Sequence, residues 1–311
     1  MRGAILLGVI LVASPVLADA WPGFGGTPAR DHRTDESLAT SLHLAWSRQA
    51  RHAPRPAWPR DDRMSFDRAS RVAVVDGRVF YGSSVDGRLR CLDAETGQTR
   101  WTFSTGGPIR FAPAVWRDRL FVTSDDGYLY CLSTTDGHLI ERWRGGPTDQ
   151  QVMGNGHVIS RWPARGGVVI ADDIVYWAAG IWQSEGIFIR AQRADTGKLV
   201  WLNDKSGGIE MPQPHGGATA KSGVTAQGHL VVTGNRLLVP TGRAVPAVFD
   251  RGTGQFLYYR LQQNTHRGAT ATMGHGGVFI NGGLAYDLGT GGLLKGLGAG
   301  SVASAGKTLW R

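Results

Sequence analysis

Arg161, Trp162, Arg165, Trp182, Glu185, His215 and Arg243 are the residues of this chain best suited to holding a ligand. A guanidinium forks onto carboxylate or sulfate, and an indole offers a flat face to a sugar ring or a cation. Residue types for covalent or metal chemistry are present but poorly arranged. His215, His229, His266 and His275 lack the close spacing of a helix-borne zinc site, so a metal site would have to be assembled from separate loops. No G-x-S-x-G, Walker or dinucleotide pattern occurs between a strand and a helix. Most aspartates fall at turns, which already explains them. No catalytic residue and no metal ligand is therefore assigned.

The elements that must position the ligand-binding candidates come from a repeat. Val75-Asp76-Gly77-Arg78-Val79-Phe80-Tyr81-Gly82 parallels Trp116-Arg117-Asp118-Arg119-Leu120-Phe121-Val122-Thr123. Each is followed by an Asp-Gly turn, at Asp86-Gly87 and Asp126-Gly127. Then come Arg88-Leu89-Arg90-Cys91-Leu92-Asp93 and Tyr128-Leu129-Tyr130-Cys131-Leu132-Ser133, a turn at Gly97 or Gly137, and a closing Trp101 or Trp143. Short alternating runs are half-buried strands, and Asp-Gly between two of them is a hairpin turn. One unit is thus a four-stranded antiparallel blade, and its closing indole packs between adjacent sheets.

Further endings occur at Gly197 with Trp201, at Gly254 with Tyr258-Tyr259 in place of Trp, and at Gly291. The intervals from Gly137 to Gly197 and from Gly197 to Gly254 are longer than the others, so each holds an insertion. The ligand-binding candidates fall in or beside these insertions, and loops on a rigid scaffold are where function concentrates. Leu42-His43-Leu44-Ala45-Trp46 reads as a lone strand around residues 41–47 that ends in Trp. Lys307-Thr308-Leu309-Trp310 opens a sixth unit.

The predicted fold is all-β: a β-propeller with five recognisable blades and a partial sixth, an incomplete ring of a seven- or eight-bladed propeller. The ending inside a strand at Arg311 points to a truncated protein or to a ring that closes by joining its two ends. Residues 1–20 read as a signal peptide, 21–69 as an extended segment, and 70–311 as the repeats. The stretch from Arg48 to Asp67, with Pro54, Pro56 and Pro59, reads as a poorly packed connector.

Composition agrees. The chain holds 45 glycines in 311 residues, about twice ordinary usage, and eleven tryptophans. Arg2, the apolar run Ala4 to Val12, and small Ala18 and Ala20 have the order of a cleaved export signal. Cleavage falls after Ala18 or after Ala20, leaving no membrane-spanning segment. The expected location is therefore periplasmic or extracellular. The net charge of +9 comes from arginines scattered along the chain, without a run longer than two. With export, that argues against nucleic acid. Cys91 and Cys131 occupy equivalent places in neighbouring repeats, too far apart to bridge, and are expected as buried thiols.

Asp93-Ala94-Glu95-Thr96-Gly97-Gln98-Thr99-Arg100-Trp101 resembles the tryptophan-docking repeat of quinoprotein alcohol dehydrogenases and their relatives, which include an outer-membrane assembly lipoprotein. WD and kelch signatures are absent. On that resemblance Trp46, Trp101, Trp143 and Trp201 dock blades, with Gly97, Gly137, Gly197, Gly254 and Gly291 as turn glycines. The inserted stretches 154–163, Ala179-Gly180-Ile181-Trp182, Pro212-Gln213-Pro214-His215 and Gly228-His229-Leu230 resemble secreted planctomycete-type propeller proteins. Family enzymes hold a flat quinone between a Trp and an adjacent Cys-Cys disulfide, with Ca²⁺ on carboxylate and amide ligands and an Asp as base. This sequence has no adjacent Cys pair and no C-x-x-C-H haem motif. The expectation is an exported, non-catalytic binding module for a protein, a polysaccharide or an anionic ligand, without cofactor. The alternative is a pyrroloquinoline-quinone- and calcium-dependent dehydrogenase, or a fragment of one.

Overall fold

A computed structural model describes residues 20–34, 36–37, 40–59, 66–154, 156–213, 217–242, 245–261 and 272–298, with the strands Ala303–Ala305 and Thr308–Trp310. The expected export signal up to Asp19, His215, Arg243 and His266 lie outside the described residues.

Five sheets follow one another along the chain, each built on four antiparallel strands, and the third carries Gly228–His229 as a fifth, parallel strand. Blade 1 comprises Val72–Val75, Arg78–Gly82, Arg88–Asp93 and Thr99–Ser104. Blade 2 comprises Ala114–Trp116, Arg119–Thr123, Tyr128–Ser133 and Leu139–Arg144. Blade 3 comprises Gly166–Ala171, Ile174–Ala179, Phe188–Arg193 and Leu199–Asn203. Blade 4 runs from Val231 to Tyr258 and blade 5 from Thr272 to Gly296. A hairpin of Ala303–Ala305 with Thr308–Trp310 begins a sixth.

Alternation along each strand puts one set of side chains against each neighbouring blade. The apolar core is accordingly a series of layers between blades. Phe80, Leu89 and Cys91 of blade 1 meet Leu120, Val122 and Tyr130 of blade 2. Phe121, Leu129 and Cys131 of blade 2 meet Val168, Val175 and Trp177 of blade 3. Ile189 and Ala191 of blade 3 meet Leu237 and Phe249 of blade 4, and Val248 of blade 4 meets Phe279 and Tyr286 of blade 5. Both cysteines are free and buried, and burial pushes each thiol up to about 11.

The closing aromatic of one unit rests on the turn glycine of the next. Trp101 lies on Gly137, Trp201 on Gly254 and Tyr258 on Gly291. Trp101 donates its indole N–H to the carbonyl of Thr134 at 3.1 Å, and Trp201 to that of Arg251 at 2.9 Å. Tyr258 donates its hydroxyl to the Leu288 carbonyl at 2.7 Å. In each case the acceptor precedes the glycine by three residues. Trp143 rests on Gly197 with a different edge of its ring. The turn glycines have φ near +70°, open to glycine and strained for other residues.

Two expectations need correction. The stretch around 41–47 forms no strand: Leu42 and Leu44 are 73% and 84% exposed, and no neighbouring strand pairs with them. Trp46 nevertheless occupies the docking position in front of blade 1, over Gly97. The 48–67 connector is exposed from Arg48 to Ala53 but packed around Ala57 and at Phe66–Asp67. Ala57, Phe66 and Asp67 are buried, and the Trp58 indole donates to Gln227 Oε1 at 2.7 Å.

The segment from Trp21 to His32 runs past the first strand of every blade. Trp21 pairs with Val74, the Pro22 carbonyl accepts from Val115, the Pro28 carbonyl from Val232, and the Ala29 carbonyl from Gly274. Arg30 donates to the carbonyls of Phe24, Val168 and Leu230. The first strands therefore converge on one short piece of chain, which satisfies edge groups that would otherwise be orphaned.

Candidate functional site

Two features occupy the region where the blades converge. The first is a column of rings. Phe24 stacks on His229 at 4.0 Å, His229 meets the edge of Phe111 at 5.0 Å, and Phe111 stacks on Phe66 at 5.1 Å. Gly228–His229, from the second insertion, pairs in parallel with the first strand of blade 3 and so carries His229 inward. Burial, reinforced by the charges of Arg30 and Arg71, holds this imidazole well below its ordinary value. It stays neutral at pH 7, and its Nε2 accepts from the Ala112 N–H at 3.2 Å.

The second feature is a buried ionic chain. Arg110 bonds Asp67 at 2.5 Å and Asp125 at 2.6 Å, and Arg165 forks onto Asp125 at 2.9 and 3.0 Å. Burial pushes the Asp125 carboxyl up, but the Arg165 and Arg110 guanidiniums outweigh it and hold it below the usual carboxylate value. Asp126 takes the turn role, accepting from the Tyr128 N–H at 3.1 Å, which frees Asp125 for the arginines.

The ligand-binding candidates separate. Arg165 belongs to this buried chain and faces no open space. Arg161, Trp182 and Glu185 meet in a cleft of about 580 Å³, lined also by Gln150, Gln151, Val152, Ile159, Ser160, Pro163 and Ile181. The first insertion supplies one wall as a hairpin of Gln151–Gly154 with His157–Ser160. The connection inside blade 3, where Gln183–Glu185 forms a single 3₁₀ turn, supplies the other.

Arg161 is held by Glu185 and by Gln150 Oε1 at 2.9 Å. Trp162 is buried behind them, donating its indole N–H to the Glu185 carbonyl at 2.5 Å. Trp182 remains 52% exposed, with Trp58 packed edge-on against it at 5.8 Å. Gln150 and Trp58 carry no motif in the sequence. Gln150 stands just before the inserted hairpin, and Trp58 sits in the connector judged loose.

Residues 43–174 match the family described as outer membrane protein assembly factor BamB. The fold resembles quinohemoprotein alcohol dehydrogenases of Pseudomonas putida (TM-score 0.63, 15% identity, 91% of this chain and 48% of that one) and Comamonas testosteroni (0.60, 16%, 91% and 50%). The matched residues and the fold support a PQQ-like β-propeller repeat family. A PQQ-like propeller can carry many functions, and likeness at this identity shows the fold alone. A curated relative, the tetrathionate hydrolase of Acidithiobacillus ferrooxidans, is 29% identical over 146 residues, 46% of this chain and 28% of that protein. The chain spans about half the length, or less, of these relatives.

The described residues do not fit the quinone and calcium that the resemblance implies for dehydrogenases of this kind. Cys91 and Cys131 sit in different blades. The buried carboxylates Asp67 and Asp125 are committed to arginines. Among the described residues no three His, Cys, Asp or Glu gather as metal ligands, and no helix is long and apolar enough to cross a membrane.

Proposed function

We propose that the protein is an exported, non-catalytic propeller whose cleft at Arg161, Trp182 and Glu185 binds a glycan. One observation carries this reading: a half-exposed indole beside a neutralised ion pair and a carboxamide. The Trp182 face suits the apolar side of a sugar ring. The Arg161–Glu185 pair offers a donor and an acceptor with no net charge, and Gln150 and Ser160 add both kinds of group. That balance matches hydroxyls better than it matches a bare anion. His215 and Arg243, outside the described residues, remain candidates on their side-chain chemistry alone.

Calorimetric titration with a panel of neutral cell-wall and exopolysaccharide oligosaccharides tests the proposal. Saturable binding that weakens at least about tenfold in Trp182→Ala, about 1.4 kcal/mol, is the expected result. Absence of binding across the panel, together with dye-linked oxidation after adding pyrroloquinoline quinone and Ca²⁺, would replace this reading with that of a dehydrogenase.

A further inference from the structure

A second cleft, of about 680 Å³, lies on the face of blade 1 turned away from blade 2 and is lined by Arg48, Arg51, His52, Tyr81, Arg88 and Arg90, among others. We propose that it binds a tetrahedral oxyanion, a phosphate or sulfate, either free or as an ester on a sugar.

The strand register builds the cleft. Arg88 and Arg90 are two residues apart on one strand and share a face, while Leu89 and Cys91 point the other way into the layer against blade 2. Arg90 pairs across with Tyr81 on one side and Thr102 on the other, so these three form a polar row. Blade 2 differs at the matching positions. There Tyr130 stands where blade 1 has Arg90, and it packs on Phe103 of blade 1 with ring centres 5.6 Å apart. Blade 1 thus carries charge on the face where blade 2 carries an aromatic ring packed on its neighbour. Such a face suits a charged ligand better than the apolar layer of another blade.

The segment following the docked Trp46 crosses this face and adds Arg48, Arg51 and His52. Arg48 is anchored to Thr99 Oγ1 at 2.9 Å. Asp86 is the one carboxylate in the lining, and Arg90 already engages it at 2.5 Å. Arg51 and Arg88 have no acidic partner among the described residues and are exposed. Four guanidiniums against one carboxylate leave a concave surface with excess positive charge. Guanidinium forks match the oxygen spacing of phosphate and sulfate. Hydroxyls of Tyr81, Ser70 and Thr102 add donors around the same space.

The test is calorimetry on the full chain with inorganic phosphate, sulfate and glucose 6-phosphate in low salt. Saturable binding of at least one probe is expected. It should weaken tenfold or more in the double variant Arg51→Ala/Arg88→Ala and again on raising salt from about 0.01 M to about 0.15 M. Both side chains are exposed, so the variant should keep the wild-type circular dichroism, and Arg88→Gln provides a milder second variant. A sugar ester binding tighter than the free ions identifies an esterified ligand, and equal affinity identifies the ion itself. Trp182→Ala should leave this binding unchanged, which separates the site from the glycan cleft. No saturable heat with any probe, or equal affinity in the double variant, overturns the proposal.

Discussion

Trp46 covers Gly97 so closely that a Cβ on the glycine would lie 2.6 Å from the indole, while the same ring donates its N–H to the Ala94 carbonyl at 2.9 Å. Residues ahead of blade 1 therefore perform for it what Trp101 performs for blade 2. The contact needs no strand, only an indole at the right place. It combines buried aromatic area with a satisfied carbonyl at Trp46, Trp101, Trp201 and Tyr258.

Replacing Gly137 by alanine should test this step directly. The glycine has φ of +74° and sits under Trp101. The substitution adds both strain and overlap, so a loss of about 2–3 kcal/mol is expected from urea unfolding. Gly77→Ala, at a similar φ but in open space, should cost less.

Asp125→Asn should destabilise the fold by about 3–5 kcal/mol, because Arg110 and Arg165 would stay buried short of a negative charge. Asp86→Asn, at a half-exposed pair, should cost less than about 1 kcal/mol. The native Asp125 carboxyl titrates below its unfolded value. Its contribution is thus present above about pH 4 and lost as pH falls through the lower folded value. The Asn variant should lack that part of the acid transition.

His229 predicts a second pH effect at milder acidity. The folded imidazole is held well below its ordinary value, so only the unfolded chain takes up a proton below about pH 6.5. Stability is full above that pH and falls by up to about 1.4 kcal/mol per unit below it. His32, also lowered by burial, adds to the same trend. Urea midpoints measured from about pH 7 down to about pH 5 should show this slope, and His229→Gln should flatten it.

Glu185→Gln should change what the glycan cleft prefers. The carbonyl that holds Trp162 is unaffected, but Arg161 loses its counter-charge. Oligosaccharides bearing carboxylates should gain affinity over neutral ones by several-fold in competition binding.

Cys91 and Cys131 should be silent toward a thiol reagent in the native state, since burial raises both thiols to about 11. Both should react once the chain is unfolded, without prior reduction.

Repetition made the blades legible in the sequence: five copies of a turn glycine, four followed by an aromatic, announce themselves whatever their surroundings. The interior was not legible for a related reason. Trp21 to His32 is rich in Gly and Pro and carries no period, so its hydrogen bonds to the first strands left no trace beyond the Gly25-Gly26 turn. Arg110 finds its carboxylates 15 and 43 residues away, and Arg165 finds Asp125 at 40. Nothing local ties such partners together. The connector misled because prolines and charges mark a loop, and they do not reveal that Asp67 ends beneath a guanidinium. Of the proposed cleft, Arg161, Trp182 and Glu185 were legible because insertions into a regular repeat stand out, whereas Trp58 arrives from outside the repeat altogether.

The threading of Trp21 to His32 past all five blades has a consequence for how the molecule assembles. Arg30 reaches the Leu230 carbonyl 200 residues along the chain, and the carbonyl of Ala29 waits for the N–H of Gly274 in blade 5. Each blade closes locally and can form quickly, but these contacts need loops of the longest kind in the chain, which are slow to close. The stretch that emerges early during synthesis is therefore among the last to be seated, and it can be seated only when the fifth blade exists.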